Sequence, residues 1–332
     1  MNKRQRLEHC IAGSATDRLP AALWRHFPGD DQRPHDFARA VVDFQRQYDW
    51  DFVKATPASS YAVVDYGFQD RWVGNLEGTR ETTKFNIERS LDWTDLRPQD
   101  PARGVLAQHI EAMRLITDAF ANDEDPPPVL PTIFSPLTLA SKMAGPATLI
   151  NHLRTAPERL HSGLRNLTEG TQRIIDAMSA LPLGGVFFAI QFASHDVLSR
   201  SEYEEFGARY DRQILENLPK KFWFNLLHLH GSSPMFADCA SFPVQAINWH
   251  DQETAPDLAR GKSLFTGAVS GGLARMKHTH DGSPSTVREA ARSAILATGG
   301  RRFILSTGCV AMITSPQSNL RTVAEIARET TG

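Results

Sequence analysis

The sequence predicts an α/β fold: a single closed (β/α)8 TIM barrel with an N-terminal helix and an irregular insertion after its second strand, one domain over residues 1–332. Three observations predict it. Eight short apolar runs alternate with helical patterns along one chain, which is how a β/α barrel reads. The run in Lys220–Gly231 (KKFWFNLLHLHG) is largely apolar on both faces, as expected of a strand in a covered parallel sheet. An open doubly wound sheet is the alternative, but no G-x-G-x-x-G follows the first run and no Walker A sequence occurs, which removes its usual nucleotide-binding variants.

Residues 2–14 read as a short polar helix, and Leu19–Trp24 (LPAALW) as the first strand, with Arg25 and His26 at its end. Phe37, Ala40, Val41, Phe44 and Tyr48 recur at helical spacing. Asp51–Ala55 (DFVKA) is the second strand. From about Tyr61 to Leu96 the pattern turns irregular and aromatic, which suggests a hairpin-bearing insertion. Pro101–Phe120 is an amphipathic helix with proline near its start. The acidic, proline-rich Asn122–Pro128 that follows cannot continue it and reads as surface loop. VLPTIF (Val129–Phe134) is the third strand, followed by helices at Leu137–Met143 and Pro157–Leu181. GGVFFAIQF (Gly184–Phe192) is the fourth, with His195 at its tip; Tyr203–Leu218 is helical and leads into the fifth, Lys220–Gly231.

A short helix at Met235–Cys239 precedes the sixth strand, Val244–Trp249, which ends in His250 and Asp251. Pro256–Arg260 reads as a brief helix and Ser263–Val269 (SLFTGAV) as the seventh strand, running into Ser270-Gly271-Gly272. Ser283 as N-cap, Pro284 at the first position and Gly299-Gly300 at the end delimit a helix. RRFILS (Arg301–Ser306) is the eighth strand, tipped by Thr307-Gly308-Cys309, and Asn319–Glu329 is the last helix.

Composition narrows the function. A net charge of −2 gives no global footprint for nucleic acid or an anionic membrane. No apolar run approaches a bilayer span, and MNKRQRLEHC lacks the apolar stretch of a signal peptide. Three scattered cysteines are too few for a disulfide framework, so a reducing cytoplasm is the expected compartment.

The chemistry centres on two imidazoles. On an extended chain Phe222, Phe224, Leu226, His228 and His230 share one face, so the face ends in two histidines just before Gly231. In a barrel enzyme that carboxyl end is where chemistry sits. The pair fits metal ligation or hydrogen-bonded barrel lining; Cys309 fits a ligand or a small core residue. His195, His250, His278 and His280 also stand at strand ends or in following loops, where a fourth ligand or a general base would stand. For His278 and His280 a solvated turn is the competing reading. Lys54 fits either anion binding or pairing with an acid.

Gly282–Arg328, with its GSP helix start, Gly-Gly turn and TSPQSN, resembles the end of the uroporphyrinogen decarboxylase superfamily. PLTLASKMAG (Pro136–Gly145) resembles that family's P-W-T-L stretch, and QRLEHCIAGSATDRLPAALW resembles its opening. The resemblance spans nearly the whole chain and implies a β/α barrel, a small-molecule substrate and a homodimer. It also implies one of two chemistries: cofactor-free decarboxylation of a tetrapyrrole, or methyl transfer linked to a corrinoid. The decarboxylase signature R-Q-A-G-R reads Arg25-His26-Phe27-Pro28-Gly29 here. Its substrate-binding aspartate falls near Ala58, its tyrosine at Lys142 and its G-H-G at Gly308-Cys309-Val310. The methyltransferase pattern, H-x-C-G with a later cysteine, becomes His228-Leu229-His230-Gly231 with Cys309.

The resemblance therefore implies zinc held by His228, His230 and Cys309, and a free or protein-borne corrinoid. His195 and His228 are the expected catalytic residues, with Arg25, His26, Lys54 and Gln191 orienting an anionic substrate. A divergent decarboxylase using Arg25 as catalytic residue is the alternative, and a non-catalytic ligand-binding barrel a third.

Overall fold

The computed structural model describes residues 1–332. Its centre is a seven-stranded, all-parallel sheet in the order β1-β4-β5-β6-β7-β8-β9. In chain order, α1 (Lys3–Ala12) and α2 (Pro34–Tyr48) precede β1 (Val53–Ala55), and the β2 (Gln69–Arg71) and β3 (Glu81–Lys84) hairpin follows. Then come α3 (Gly104–Phe120), β4 (Val129–Phe134), α4 (Pro136–Ala144), α5 (Pro146–Thr155), α6 (Pro157–Met178) and β5 (Phe187–Ile190). α7 (Arg200–Tyr203) runs through a π turn into α8 (Arg209–Glu216), and β6 (Leu226–Leu229) follows. The chain finishes with α9 (Phe236–Cys239), β7 (Ala246–Trp249), α10 (Leu258–Leu264), β8 (Ala268–Leu273), α11 (Pro284–Thr298), β9 (Phe303–Thr307) and α12 (Gln317–Glu329).

The elements form where apolar spacing and caps place them. α2 begins at Pro34 and buries Phe37, Val41, Val42 and Tyr48 on one face. α11 starts at Ser283, whose side chain accepts the Thr286 N–H, and stops at Gly299 with φ 64°. Strands β4 to β9 are buried throughout, which requires cover on both faces. Nearly all of the buried apolar residues, 93 of them, form one cluster. No helix is long and apolar enough to cross a membrane.

Three expectations need correcting. Leu19–Trp24 is not a full strand: it makes one parallel bridge, Ala21 with Leu305. Leu305 N–H donates to Pro20 O, Ala22 N–H to Leu305 O, and Asp51 N–H to Ala21 O, so the segment contacts both ends of the seven-stranded sheet through a few bonds. A regular eighth strand of a closed barrel is therefore absent.

Second, the expected seventh strand at Ser263–Val269 is displaced. Ser263 and Leu264 complete α10, which Asp257 caps through the Arg260 N–H, and β8 runs on to Leu273. The Gly271-Gly272 pair lies within this strand, and glycine is needed there because a Cβ at Gly271 would lie 2.3 Å from Asp251 Oδ1 and one at Gly272 2.6 Å from the Ala294 Cβ. Third, α5 is an additional helix, started by Pro146 directly after Gly145. The insertion is a hairpin with short 3-10 turns, as expected.

The hairpin loop lies across the carboxyl ends of the strands. Ile313 N–H donates to Leu76 O at 2.9 Å, and Arg275 Nη1 pairs with Glu77 at 2.8 Å. Gly78 (φ 78°) sits so close that a Cβ would lie 2.6 Å from His26 Cβ, so only glycine lets the loop down onto this face.

Candidate metal centre

Strand register builds the site. β6 and β7 pair in parallel with His228 opposite Asn248, and Asn248 in turn is opposite Ser270 of β8. His228 points inward, its ring stacked 5.4 Å from that of Phe187 on β5. His230 follows β6, His250 follows β7, and Cys309 follows β9. Gly308 permits this last placement: a Cβ there would lie 2.8 Å from both His250 Cα and Trp249 O. The turn after β9 is thereby seated against the end of β7.

His228, His230, His250 and Cys309 each offer one ligand atom, and the four atoms lie within 4.8 Å of one another. His250 Nε2 is 3.3 Å from His230 Nδ1, and Cys309 Sγ is 3.7 Å from the same nitrogen. A tetrahedral zinc with its usual bond lengths separates two nitrogens by about 3.3 Å and a nitrogen and a sulfur by about 3.6 Å. The two spacings match. Three nitrogens and a sulfur are also the donor types zinc prefers, so the residues fit the ion.

Neighbours fix the tautomers. Asn248 Nδ2 donates to Ser270 O at 2.9 Å and Thr307 O at 3.0 Å, so its Oδ1 faces His228 Nδ1 at 2.6 Å and accepts that proton. The lone pair of His228 then lies on Nε2, on the side of Cys309. His250 Nδ1 is 3.1 Å from Glu253 Oε2, which assigns its proton likewise and frees Nε2. Glu253 also meets Arg275 at 3.4 Å, and Arg275 reaches Glu77 on the hairpin. An open groove of about 370 Å³, lined by Glu77, Glu253, Arg275 and Met312 among others, lies beside this chain.

Electrostatics favour a thiolate. Burial alone would push the Cys309 thiol up, but hydrogen bonds and charge from His228, His230 and His250 outweigh it and hold it well below the usual value. Burial pushes His228 down. Burial also opposes charge on His250, yet Cys309 and Glu253 outweigh it and raise its pKa.

The other expected residues are placed as follows. His26 is buried with Nδ1 unpartnered, and burial takes it down to about 3. Lys54 is buried, its Nζ 4.7 Å over the Phe187 ring. Gln191 is half-buried just after β5, its N–H donating to Thr138 Oγ1. His195 is exposed and lies outside the four-residue cluster, its N–H donating to Ser233 O. Arg25 is engaged elsewhere: Nη1 donates to Ile313 O at 2.9 Å and its guanidinium covers Phe27 and Phe44. His278 accepts the Ala274 N–H within a π segment, and His280 contacts Asp281 and Thr314.

Of the strand-end histidines considered for a fourth donor, the structure brings His250 into the cluster. Asn248 and Glu253 were not foreseen; an Asn opposite a histidine becomes visible only once strand register is known.

A parallel β/α sheet with a largely buried three-imidazole, one-thiol cluster at its carboxyl ends defines a β/α protein with a candidate metal site. Residues 81–330 match the family described as Uroporphyrinogen decarboxylase (URO-D), and the chain belongs to that family. The methylated-thiol–coenzyme M methyltransferase of Methanosarcina mazei is 23% identical over 211 residues, covering 61% of this chain and 53% of that one. The match thus spans about half the length of that relative. Among solved structures, a methyltransferase from Methanosarcina mazei superposes with a TM-score of 0.86 over 99% of both chains at 16% identity. A B12-independent methionine synthase from Shewanella sp. W3-18-1 superposes with 0.61 over 94% of both at 11% identity. These likenesses concern the fold.

Proposed function

We propose that the protein is a zinc-dependent methyltransferase that moves a methyl group between a corrinoid and a thiol. The observation that carries the reading is the convergence of His228, His230, His250 and Cys309, whose ligand atoms lie within 4.8 Å of one another. His228 Nε2, His230 Nδ1 and Cys309 Sγ would hold the ion, with its fourth position filled by His250 Nε2 at rest and open to a substrate thiol. Bound there, zinc supplies Lewis acidity that lowers the pKa of a coordinated thiol.

The chain's own residues do the rest. Asn248 and Glu253 hold the two imidazoles in the tautomers ligation requires. When a thiol takes the position His250 would otherwise fill, His250, whose Nδ1–H rests on Glu253, is placed to take the thiol proton at Nε2, because the carboxylate stabilises the resulting imidazolium. The thiolate sulfur attacks the methyl carbon, the bond from methyl to its carrier breaks, and the electron pair leaves with the carrier. The hairpin loop excludes water from the carboxyl-end face.

Lys54 and His26 orient the substrate, Gln191 borders it, and His195, being exposed, is assigned no proton transfer. One domain, the seven strands and the Leu19–Trp24 segment acting together as a closed ring, a homodimer and a reducing cytoplasm complete the reading. The decarboxylase alternative rests on Arg25, whose Nη1 donates to Ile313 O and whose guanidinium lies over Phe27 and Phe44, with Nε unpartnered and the residue outside the four-residue cluster.

The test is consumption of methylcobalamin with 2-mercaptoethanol by zinc-loaded protein. Wild type should turn over, and His228→Ala and Cys309→Ser should each lose at least about 100-fold, the upper range for disturbed metal sites. Absence of transfer by zinc-loaded wild type, or equal rates in all three proteins, contradicts the proposal.

A further inference from the structure

Glu253 is a weak support for His250 on its own. Its side chain is 44% exposed, and it stands three residues beyond His250 in the turn after β7. A half-exposed pair gains little against the entropy of fixing a long side chain. A second contact holds the carboxylate from its other oxygen. Oε2 faces His250 Nδ1 at 3.1 Å, and Oε1 faces Arg275 Nε at 3.4 Å.

Arg275 opens the π segment Arg275–His280 after β8, and its side chain is largely buried. Burial opposes its charge, but Cys309, Glu77 and Glu253 outweigh it and raise its pKa. Nη1 meets Glu77 Oε1 at 2.8 Å, so one planar guanidinium spans two carboxylates from different loops. Glu77 makes no hydrogen bond or ion pair with any of the four donors, and its link to them runs through Arg275.

The hairpin loop is held down lightly. β2 and β3 are mostly exposed, as are Trp72, Val73 and Leu76 between them. The seated stretch is Leu76–Gly78: Leu76 O accepts the Ile313 N–H, Glu77 pairs with Arg275, and Gly78 rests against His26. A segment with so few buried contacts opens readily, so a modest change at one of them shifts its population.

We propose that Arg275 is a positioning residue that couples the hairpin loop to the cluster: by spanning Glu77 and Glu253 it holds Glu253 on His250, so that a seated loop and an ion at the four donors favour each other. The coupling needs the zinc of the methyl-transfer reading but no methyl transfer. It is reciprocal: the factor by which the seated loop tightens zinc is the factor by which zinc holds the loop shut.

Two measurements on the full chain test this. Competition with a chromophoric chelator reads zinc affinity, and hydrogen exchange of the Ile313 amide, which is bonded to Leu76 O when the loop is seated, reads closure with and without zinc. In wild type zinc should slow that exchange about ten-fold, the lower range for groups behind metal ligands. Arg275→Met and Glu77→Gln should each bind zinc about ten-fold more weakly, and in neither should zinc slow the Ile313 amide. Arg275→Lys keeps a charge near Cys309 but cannot span both carboxylates, so it should match Arg275→Met. Should Arg275→Met fail to fold, Glu77→Gln on the loop carries the same test. Unchanged zinc affinity in Glu77→Gln, or exchange raised equally with and without zinc, makes the contact structural only and overturns the coupling. Wild-type values in Arg275→Lys overturn the bridging role. Wild type that takes up no zinc overturns the coupling together with the metal site, whereas zinc uptake and methyl transfer without loop protection overturn the coupling alone.

Discussion

Asn248 decides which nitrogen of His228 is free. Its amide is oriented by two backbone carbonyls, Ser270 O and Thr307 O, so the oxygen has one direction left to face. Asn248→Ala removes the acceptor for His228 Nδ1–H and strands both carbonyls. Zinc affinity should drop about 10- to 100-fold, and stability by about 1–3 kcal/mol for the unpaired buried groups. Competition with a chromophoric chelator reads the first and urea denaturation the second; unaltered zinc affinity would show that Asn248 is only a strut. At this scale the sequence was partly readable. Alternation along Phe222–His230 put both histidines on one face, and the turn after a strand marked Cys309. Nothing in a lone asparagine within VQAINW announces a histidine as its partner, because that depends on how β6 and β7 align.

The elements around the site depend on buried polar groups of their own. Asp211, inside α8 and fully buried, accepts the Tyr203 hydroxyl at 3.0 Å, and burial pushes its carboxyl up to about 8. An unfolded aspartate titrates near 3.9. Between those values only the folded state binds the proton, so this group's contribution to stability is full below about pH 4 and is lost as pH rises through 8. The slope from this group reaches at most about 1.4 kcal/mol per pH unit. Urea midpoints at pH 5, 6.5 and 8 should fall less steeply in Asp211→Asn than in wild type; parallel profiles would mean the carboxyl is not held neutral.

Element boundaries were legible where caps were explicit. Ser283, Pro284 and Gly299 bound α11 as read, and Val129–Phe134 is β4 to the residue. They were illegible at α10 and β8. There SLF is apolar enough for a strand, but Asp257 caps a helix that runs through Leu264. Gly271-Gly272 lies inside β8, where the close approach of Asp251 and Ala294 leaves no room for a side chain.

For the whole molecule, the four donors come from the ends of β6, β7 and β9, far apart along the chain, so an ion there would tie three strands together. An ion that binds the folded state alone adds stability by mass action, about 2.7 kcal/mol at one hundred times its dissociation constant. Removing zinc with a chelator should therefore lower the thermal midpoint by several degrees in wild type. In Cys309→Ser the shift should be small; equal shifts in both would place the stabilising ion elsewhere. The architecture was legible because long apolar runs alternating with helices have few solutions. The short contacts of Leu19–Trp24 were not, because an apolar run of that length reads the same whether it forms a ladder or a single bridge.

The most direct measurement is elemental analysis of protein purified without chelator, joined to X-ray absorption at the zinc edge. The account predicts about one zinc per chain with three nitrogen scatterers near 2.0 Å and one sulfur near 2.3 Å, the sulfur absent in Cys309→Ser. Protein that neither carries nor takes up zinc, or zinc bound with no sulfur in its shell, would contradict it.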